Sequence, residues 1–149
     1  MAAPKTLKFD SFPISVEFVP SSGIFTLVCG IMSRGITRKT NIKTDEVPAD
    51  CTNESLPAVV LKAPQSQDVQ ISGSGKYARQ SHKLLYDWWK NGTRLQVRVG
   101  FTGANTGEIS AEEGFGYLTQ LDHQAENLGV LSSDITIEFD GSTTSVIAP

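Results

Sequence analysis

Lysine and arginine are missing from the last third of this sequence: none follows Arg98, whereas eight Asp and Glu residues do. The formal charge is +5 through Arg98 and −8 beyond it, in a chain whose overall charge is −3. A nucleic-acid grip concentrates Lys and Arg along one face. This split instead suits complementary faces for self-association, or an acidic surface that repels polyanions. Cysteine is nearly as scarce. Cys29 and Cys51 stand alone without a C-x-x-C, which reads as two reduced thiols rather than a disulfide in a reducing compartment. His82 and His123 fall in different elements, with no Cys or paired carboxylate at ligand spacing, so neither a metal site nor a cofactor is expected. Also lacking is any apolar run near the roughly 20 residues that cross a bilayer. The opening MAAPKTLKFD has no apolar core of signal-peptide length, so the expectation is a chain made and first kept in a cytosol, away from membranes.

What is present is period-two alternation. PISVEFV sets Ile14, Val16 and Phe18 on one side, RLQVRVGF sets Leu95, Val97, Val99 and Phe101 on one side, and DITIEFDG turns Ile135, Ile137 and Phe139 inward. Each is the mark of a half-buried strand. Further strands are expected at residues 24–31, 36–43, 67–73 and 114–124. With 39% hydrophobic and 19% charged residues in 149 positions, the chain reads as one domain, residues 1–149, with its own core. Several short strands separated by Gly, Ser and Pro imply a mainly β protein, an antiparallel sandwich or barrel.

Two segments break the pattern. From about residue 36 to 64 apolar residues are sparse, and Pro48, Pro57 and Pro64 interrupt pairing. This reads as a long projecting arm, since structureless loops beyond roughly 12–15 residues are uncommon in compact domains unless functional or disordered. The other is SHKLLYDWWKNG. Ser81 can cap a helix of about residues 81–91, Leu84, Leu85, Trp88 and Trp89 recur at the spacing of one buried stripe, and Asn91-Gly92 ends it. So short a helix is marginal alone, and it is expected to dock on the sheet and plug an open side of it.

No enzymatic constellation emerges. Gly73, Gly75 and Ala78 match a G-x-G-x-x-A fingerprint, but the acidic residue expected about 20 positions on is missing and no further βα units follow; the glycines read as a turn. Ser81 beside His82 is adjacency rather than a nucleophile–base pair, GFGYL lacks the serine of a nucleophile elbow, and Glu112-Glu113 reads as a solvated turn. A standalone sugar-binding module is the alternative, with Tyr86, Trp88, Trp89 and Tyr117 as stacking surfaces; against it, both Trp fall on the helix stripe.

The order of these elements resembles a known family. The early strands through GIFTLVCGIMS, the polar arm RGITRKTNIKTDEVPADCTNESLP, VQISGSGKYA, the single helix leading into TRLQVRV, and the closing pair ending EFDGS are similar to the tail tube proteins of long-tailed bacteriophages and their type VI secretion inner-tube relatives. The resemblance implies a β-sandwich flanked by one helix, with no enzymatic activity. It implies six copies joined into a ring around an inner barrel, rings stacked through the arm, and DNA passing down the lumen without specific binding. Partners would be other copies, the tape measure, the tail terminator and the distal tail or baseplate. The location would be the virion tail, assembled in the host bacterial cytoplasm. On this reading Asp122 and Glu138, with Glu112, Glu113, Glu126 and Asp140, are candidates for the lumen wall, and Arg38, Lys39, Lys43, Asp45, Glu46, Asp50 and Glu54 are candidates for ring stacking. The apolar end TSVIAP, in a C-terminal tail of about residues 142–149, matches no family element and reads as an inter-subunit strand or a frayed tail.

Overall fold

The alternating segments form strands, and the strands form one antiparallel sheet that curls over a shared core. A computed structural model describes residues 3, 4, 6 and 12–149. In chain order the elements are β1 (Ile14–Val16), β2 (Thr26–Leu27), β3 (Ile31–Val47), β4 (Val59–Lys76), α1 (Arg79–Asn91), β5 (Leu95–Gly100), β6 (Ile109–Gln124), β7 (Ser132–Phe139) and β8 (Thr144–Ile147). The order across the sheet is β2-β1-β5-β6-β7-β4-β3, and β8 also pairs with β6. Ile14 and Val16 of β1, Val97 and Val99 of β5, Ile71 of β4 and Ile135 and Ile137 of β7 meet in one buried cluster. The two ends of the strand order therefore face each other as the layers of a sandwich.

The long strand β6 is the corner. Its first part, Ala111–Gly116, pairs with β5, and its second part, Gly116–Gln124, pairs with β7. The corner requires glycine: a Cβ on Gly114 would stand 2.8 Å from the Phe139 ring, and one on Gly116 would stand 2.7 Å from the Glu138 carbonyl oxygen. Glu112 and Glu113 thus lie inside a strand, not in a turn, with Glu112 buried on the core side. Gly73 and Gly75 likewise lie within β4, where a Cβ on Gly75 would meet the Gly30 carbonyl oxygen at 2.1 Å. They permit close strand approach rather than a turn.

The expected strand at 24–31 is reduced to the two residues of β2, because the chain turns at Cys29-Gly30 before β3 begins. The closing apolar segment is not frayed: β8 pairs with Ile109–Glu113 of its own β6. α1 begins two residues earlier than expected, behind Ala78, with no side-chain cap. Ser81 is buried instead, and its hydroxyl accepts the Cys29 amide at 3.0 Å. The helix does end at Gly92, left-handed at φ 61°, whose amide bonds to the Trp88 carbonyl.

The buried line of α1 is Ser81, Leu85 and Trp88, an i, i+4, i+7 ridge narrower than the expected stripe. Leu84 and Trp89 are 38% and 48% exposed. The helix buries one ridge, and Leu84 and Trp89 beside it stay partly outside. Trp88 is 2% exposed, sits edge-on to Phe18 and donates its indole N–H to the Thr93 carbonyl at 2.6 Å. Beside the helix N-terminus, Tyr77, His82 and His123 stack within 5.3 Å of one another. Burial and the neighbouring His82 hold the His123 imidazole below its usual pKa, opposed by Asp122.

Candidate functional site

The arm is a ribbon. β3 and β4 pair along nearly their whole length, from Ile31↔Gly75 out to Val47↔Val59, while β7 accompanies β4 only from Gln70 to Lys76. Beyond Gln70 the two strands stand away from the body with each other as sole strand partners among the described residues. Pro64 does not break the ribbon, because it is accommodated where the register shifts between Asn41 and Ile42, a bulge being one of the places a sheet tolerates proline. At about 3.3 Å per residue, ten paired residues carry the tip some 30 Å outward.

The tip is ordered by its own polar side chains. Asp50 accepts the Thr52 amide and hydroxyl, both at 2.9 Å, and these bonds hold its carboxyl below the usual carboxylate range, the backbone bond contributing most. Asn53 accepts from the amide and hydroxyl of Ser55. Lys39, Lys43, Asp45 and Glu46 lie along the ribbon, and Asp50 and Glu54 at its tip. Ile42, Leu56, Val59, Val60 and Leu61 leave about half of their surfaces in solvent, more apolar exposure than a solvated hairpin needs.

The second surface is the outer face of the sheet formed by β6, β7, β4 and β3. Register places Ser33, Ser74, Asp134 and Asp122 in one row and Gly35, Ser72, Thr136 and Gln120 in the next. Thr37, Gln70, Glu138 and Tyr117 make the third. The alternate rows, carrying Ile36, Ile71, Ile137 and Leu118, turn into the core. The outer face is therefore polar and acidic over three rows, with Tyr117 in the third and Lys39 and Lys76 at its two ends.

Of the six acidic candidates, Asp122 and Glu138 share this face, joined by Asp134, which sequence reasoning passed over. Its signal was available: Asp134 stands two residues before Thr136 and four before Glu138 in an alternating strand. Three of the others are taken up by arginines from the basic part of the chain. Glu112 pairs with Arg38, Glu113 with Arg98 at 2.5 Å and Asp140 with Arg94 at 2.8 Å. Glu126 lies in the exposed turn between β6 and β7.

Asp122 and Asp134 are directly opposite each other across β6 and β7, an arrangement that costs stability. Asp134→Asn is expected to stabilise the unassembled subunit by about 0.2–1 kcal/mol, read as a higher urea midpoint at low salt.

Two strand edges bound this face. β3 ends the strand order, and β5 pairs with β6 only as far as Gly116, so residues 117–124 of β6 have no strand on the side away from β7 among the described residues. Among the described residues no group of three or more His, Cys, Asp or Glu is placed to hold a metal ion, and no helix is long and apolar enough to cross a membrane. Trp88 is buried, while the rings of Tyr86 and Trp89 lie 6.3 Å apart on the exposed side of α1. Cys29 and Cys51 are free and exposed.

A family model described as phage tail tube protein matches residues 14–145. No curated protein sequence matches the chain closely enough to count as a relative. Among solved structures, the tail of an empty gene transfer agent particle with C6 symmetry aligns at a TM-score of 0.73 and 15% identity, over 95% of this chain and 99% of that one. The SPP1 tail tube aligns at 0.70 and 14% identity, over 96% of this chain and 81% of that one. A chain of the PVC extracellular contractile injection system sheath–tube complex aligns at 0.62 and 15% identity, over 96% and 93%. At these identities the likeness is one of fold.

Proposed function

The chain belongs to the phage tail tube protein family, and from that premise we propose that it assembles, six copies to a ring, into a stacked tube through which DNA leaves the virion. The observation that carries this reading is the four-strand sheet with an acidic outer face and an open strand at each edge. Direction alternates through β6, β7, β4 and β3, so the free edge of β3 in one copy meets residues 117–124 of the next copy's β6 antiparallel. Strand addition of this kind satisfies the backbone groups that an exposed edge leaves open.

Six copies follow the C6 symmetry of the gene transfer agent tail. They supply 24 strands, and at about 4.8 Å between strands the closed barrel is about 37 Å across before strand tilt widens it. Asp122, Asp134 and Glu138 then line the wall, and the apolar rows stay in the subunit cores.

The ribbon makes the contact between rings. Its exposed Ile42, Leu56, Val59, Val60 and Leu61 are covered by the neighbouring ring, with Lys39, Lys43, Asp45, Glu46, Asp50 and Glu54 around them. Assembly takes place in the host cytoplasm, and the tape measure, tail terminator and distal tail or baseplate proteins meet the tube along its lumen and at its ends.

The test is assembly itself. Purified protein is expected to form rings or hollow tubes by negative-stain microscopy. Deleting residues 47–57 is expected to leave folded subunits, by circular dichroism and thermal melt, that no longer stack. Protein that remains monomeric by light scattering at high concentration, even with tail initiation proteins, would overturn the reading. Normal tubes from the deletion variant would remove the arm from it.

A further inference from the structure

The ribbon leaves the body at a defined rung. Gln70↔Glu138 is the last pair that ties β4 to β7, and the next rung outward on the ribbon is Arg38↔Val69. A two-stranded ribbon without a third strand twists and bends easily, so this first unsupported rung is where the arm's direction is decided. There Arg38 turns to the core side and reaches the opposite layer. Its Nε and Nη2 both donate to Glu112 Oε1, at 3.0 and 2.6 Å, and Thr143 Oγ1 donates to Oε2 at 3.0 Å.

The Glu112 side chain is about nine-tenths buried, whereas that of Arg38 is half exposed. The contact is charge-assisted, hence among the stronger polar contacts, and its two prongs, Nε and Nη2, converge on one oxygen, with Nε 3.4 Å from Oε2. The alternative to it is a carboxylate left buried without its cation. An open hollow of about 570 Å³, lined in part by Phe101, Ala104 and Ile109, flanks the pair, so the space beside the arm root is not filled by packed side chains.

We propose that Arg38 and Glu112, seconded by Thr143, are a positioning latch that sets the direction of the arm in the free subunit, so that the tip is already aimed before it meets another ring. The use to which the aim is put rests on the stacking role proposed above; the latch itself does not. Arg38 occupies the arm side and Glu112 the body side, and breaking the pair frees the ribbon to swing about the Gln70 rung while its own ladder stays intact.

The chain's two cysteines suit the test. Cys51 is exposed at the arm tip and Cys29 is exposed on the body, so spin labels on both report the tip-to-body distance by double electron–electron resonance at a concentration too low for assembly. The expected result is one narrow distance distribution in the otherwise unaltered chain, a broadened one in Arg38→Ala and in Glu112→Gln, and a narrow one restored in the double variant Arg38→Glu with Glu112→Arg. Arg38→Lys, which loses the two-pronged geometry but keeps the charge, should fall between.

Far-UV circular dichroism and thermal melts run alongside show which variants are folded, and the charge-swapped pair separates positioning from a general loss of stability. A broad distribution in the unaltered chain would overturn the latch, as would equally narrow distributions in every folded single variant. Failure of the unaltered protein to form tubes would count against the stacking role without touching these distances.

Discussion

Trp88→Ala is expected to remove about 3–5 kcal/mol of subunit stability, the usual cost of truncating a buried tryptophan, against a total of roughly 5–15 kcal/mol for a domain. The side chain is 2% exposed and fills the seam between α1 and the sheet, edge-on to Phe18. Truncation also leaves the Thr93 carbonyl without its indole donor. The buried residues of the helix are Ser81, Leu85 and Trp88, of which Trp88 is by far the largest, and a helix of this length is marginal on its own in water. Trp89→Ala, one residue on and half exposed, is expected to stay within about 0.5 kcal/mol. Urea denaturation of the unassembled subunits compares the two. Equal losses would mean that the helix docks by its whole apolar stripe and not by one ridge.

That contrast shows where the sequence stops being legible. The spacing of Leu84, Leu85, Trp88 and Trp89 locates a helix and its apolar side, but how much of that side is covered depends on the shape of the partner sheet, which no local pattern encodes. β1, β5 and β7 could be read directly because one face of each is buried, and burial of one face is what writes a period of two into a sequence.

The ribbon has both faces in solvent over most of its length, so neither GITRKTNIKTDE nor VVLKAPQSQ carries that period: the sequence supports a projecting arm with strands at 36–43 and 67–73, and the pairing out to Val47↔Val59 is not legible in it. Pro64 hides that pairing further, since a bulge that accommodates it is a property of the pairing and not of the residue. β8 is equally hidden: four residues are too few to show a period, and its partner Ile109–Glu113 precedes the strand expected at 114–124 and contains Glu112-Glu113, which reads as a turn.

The charge split was plain in the composition, and its partial cancellation was not. Arg38 and Glu112 are 74 residues apart and meet only because the sheet curls. Of the five acids that such pairing leaves, Glu108 and Glu126 lie off the sheet face, and the three on it, Asp122, Asp134 and Glu138, are found by register rather than by counting.

Reversing two members of that set on the proposed lumen wall gives the other large expected effect. Asp122→Lys with Glu138→Lys changes each subunit by four charges, repeated by every copy around every ring. Double-stranded DNA presents one negative charge per roughly 1.7 Å of axis and is held by lysines through counterion release. At physiological salt the screening length of about 8 Å confines any repulsion or grip to DNA near the wall, so the result depends on whether these side chains face the channel.

Folding is not expected to suffer. A lysine at 122 would face Asp134 and replace a like-charge pair with an attractive one, and Glu138 stands between Gln70 and Tyr117 in no ion pair among the described residues. Phage built with the double variant are therefore expected to carry normal tubes by microscopy but to release DNA slowly or incompletely, with the defect deepest at low salt and easing as salt rises. Release at the normal rate from such tubes would put both residues on another surface. The aspartates opposed across β6 and β7 would then need a different reason to have been kept at a cost in stability.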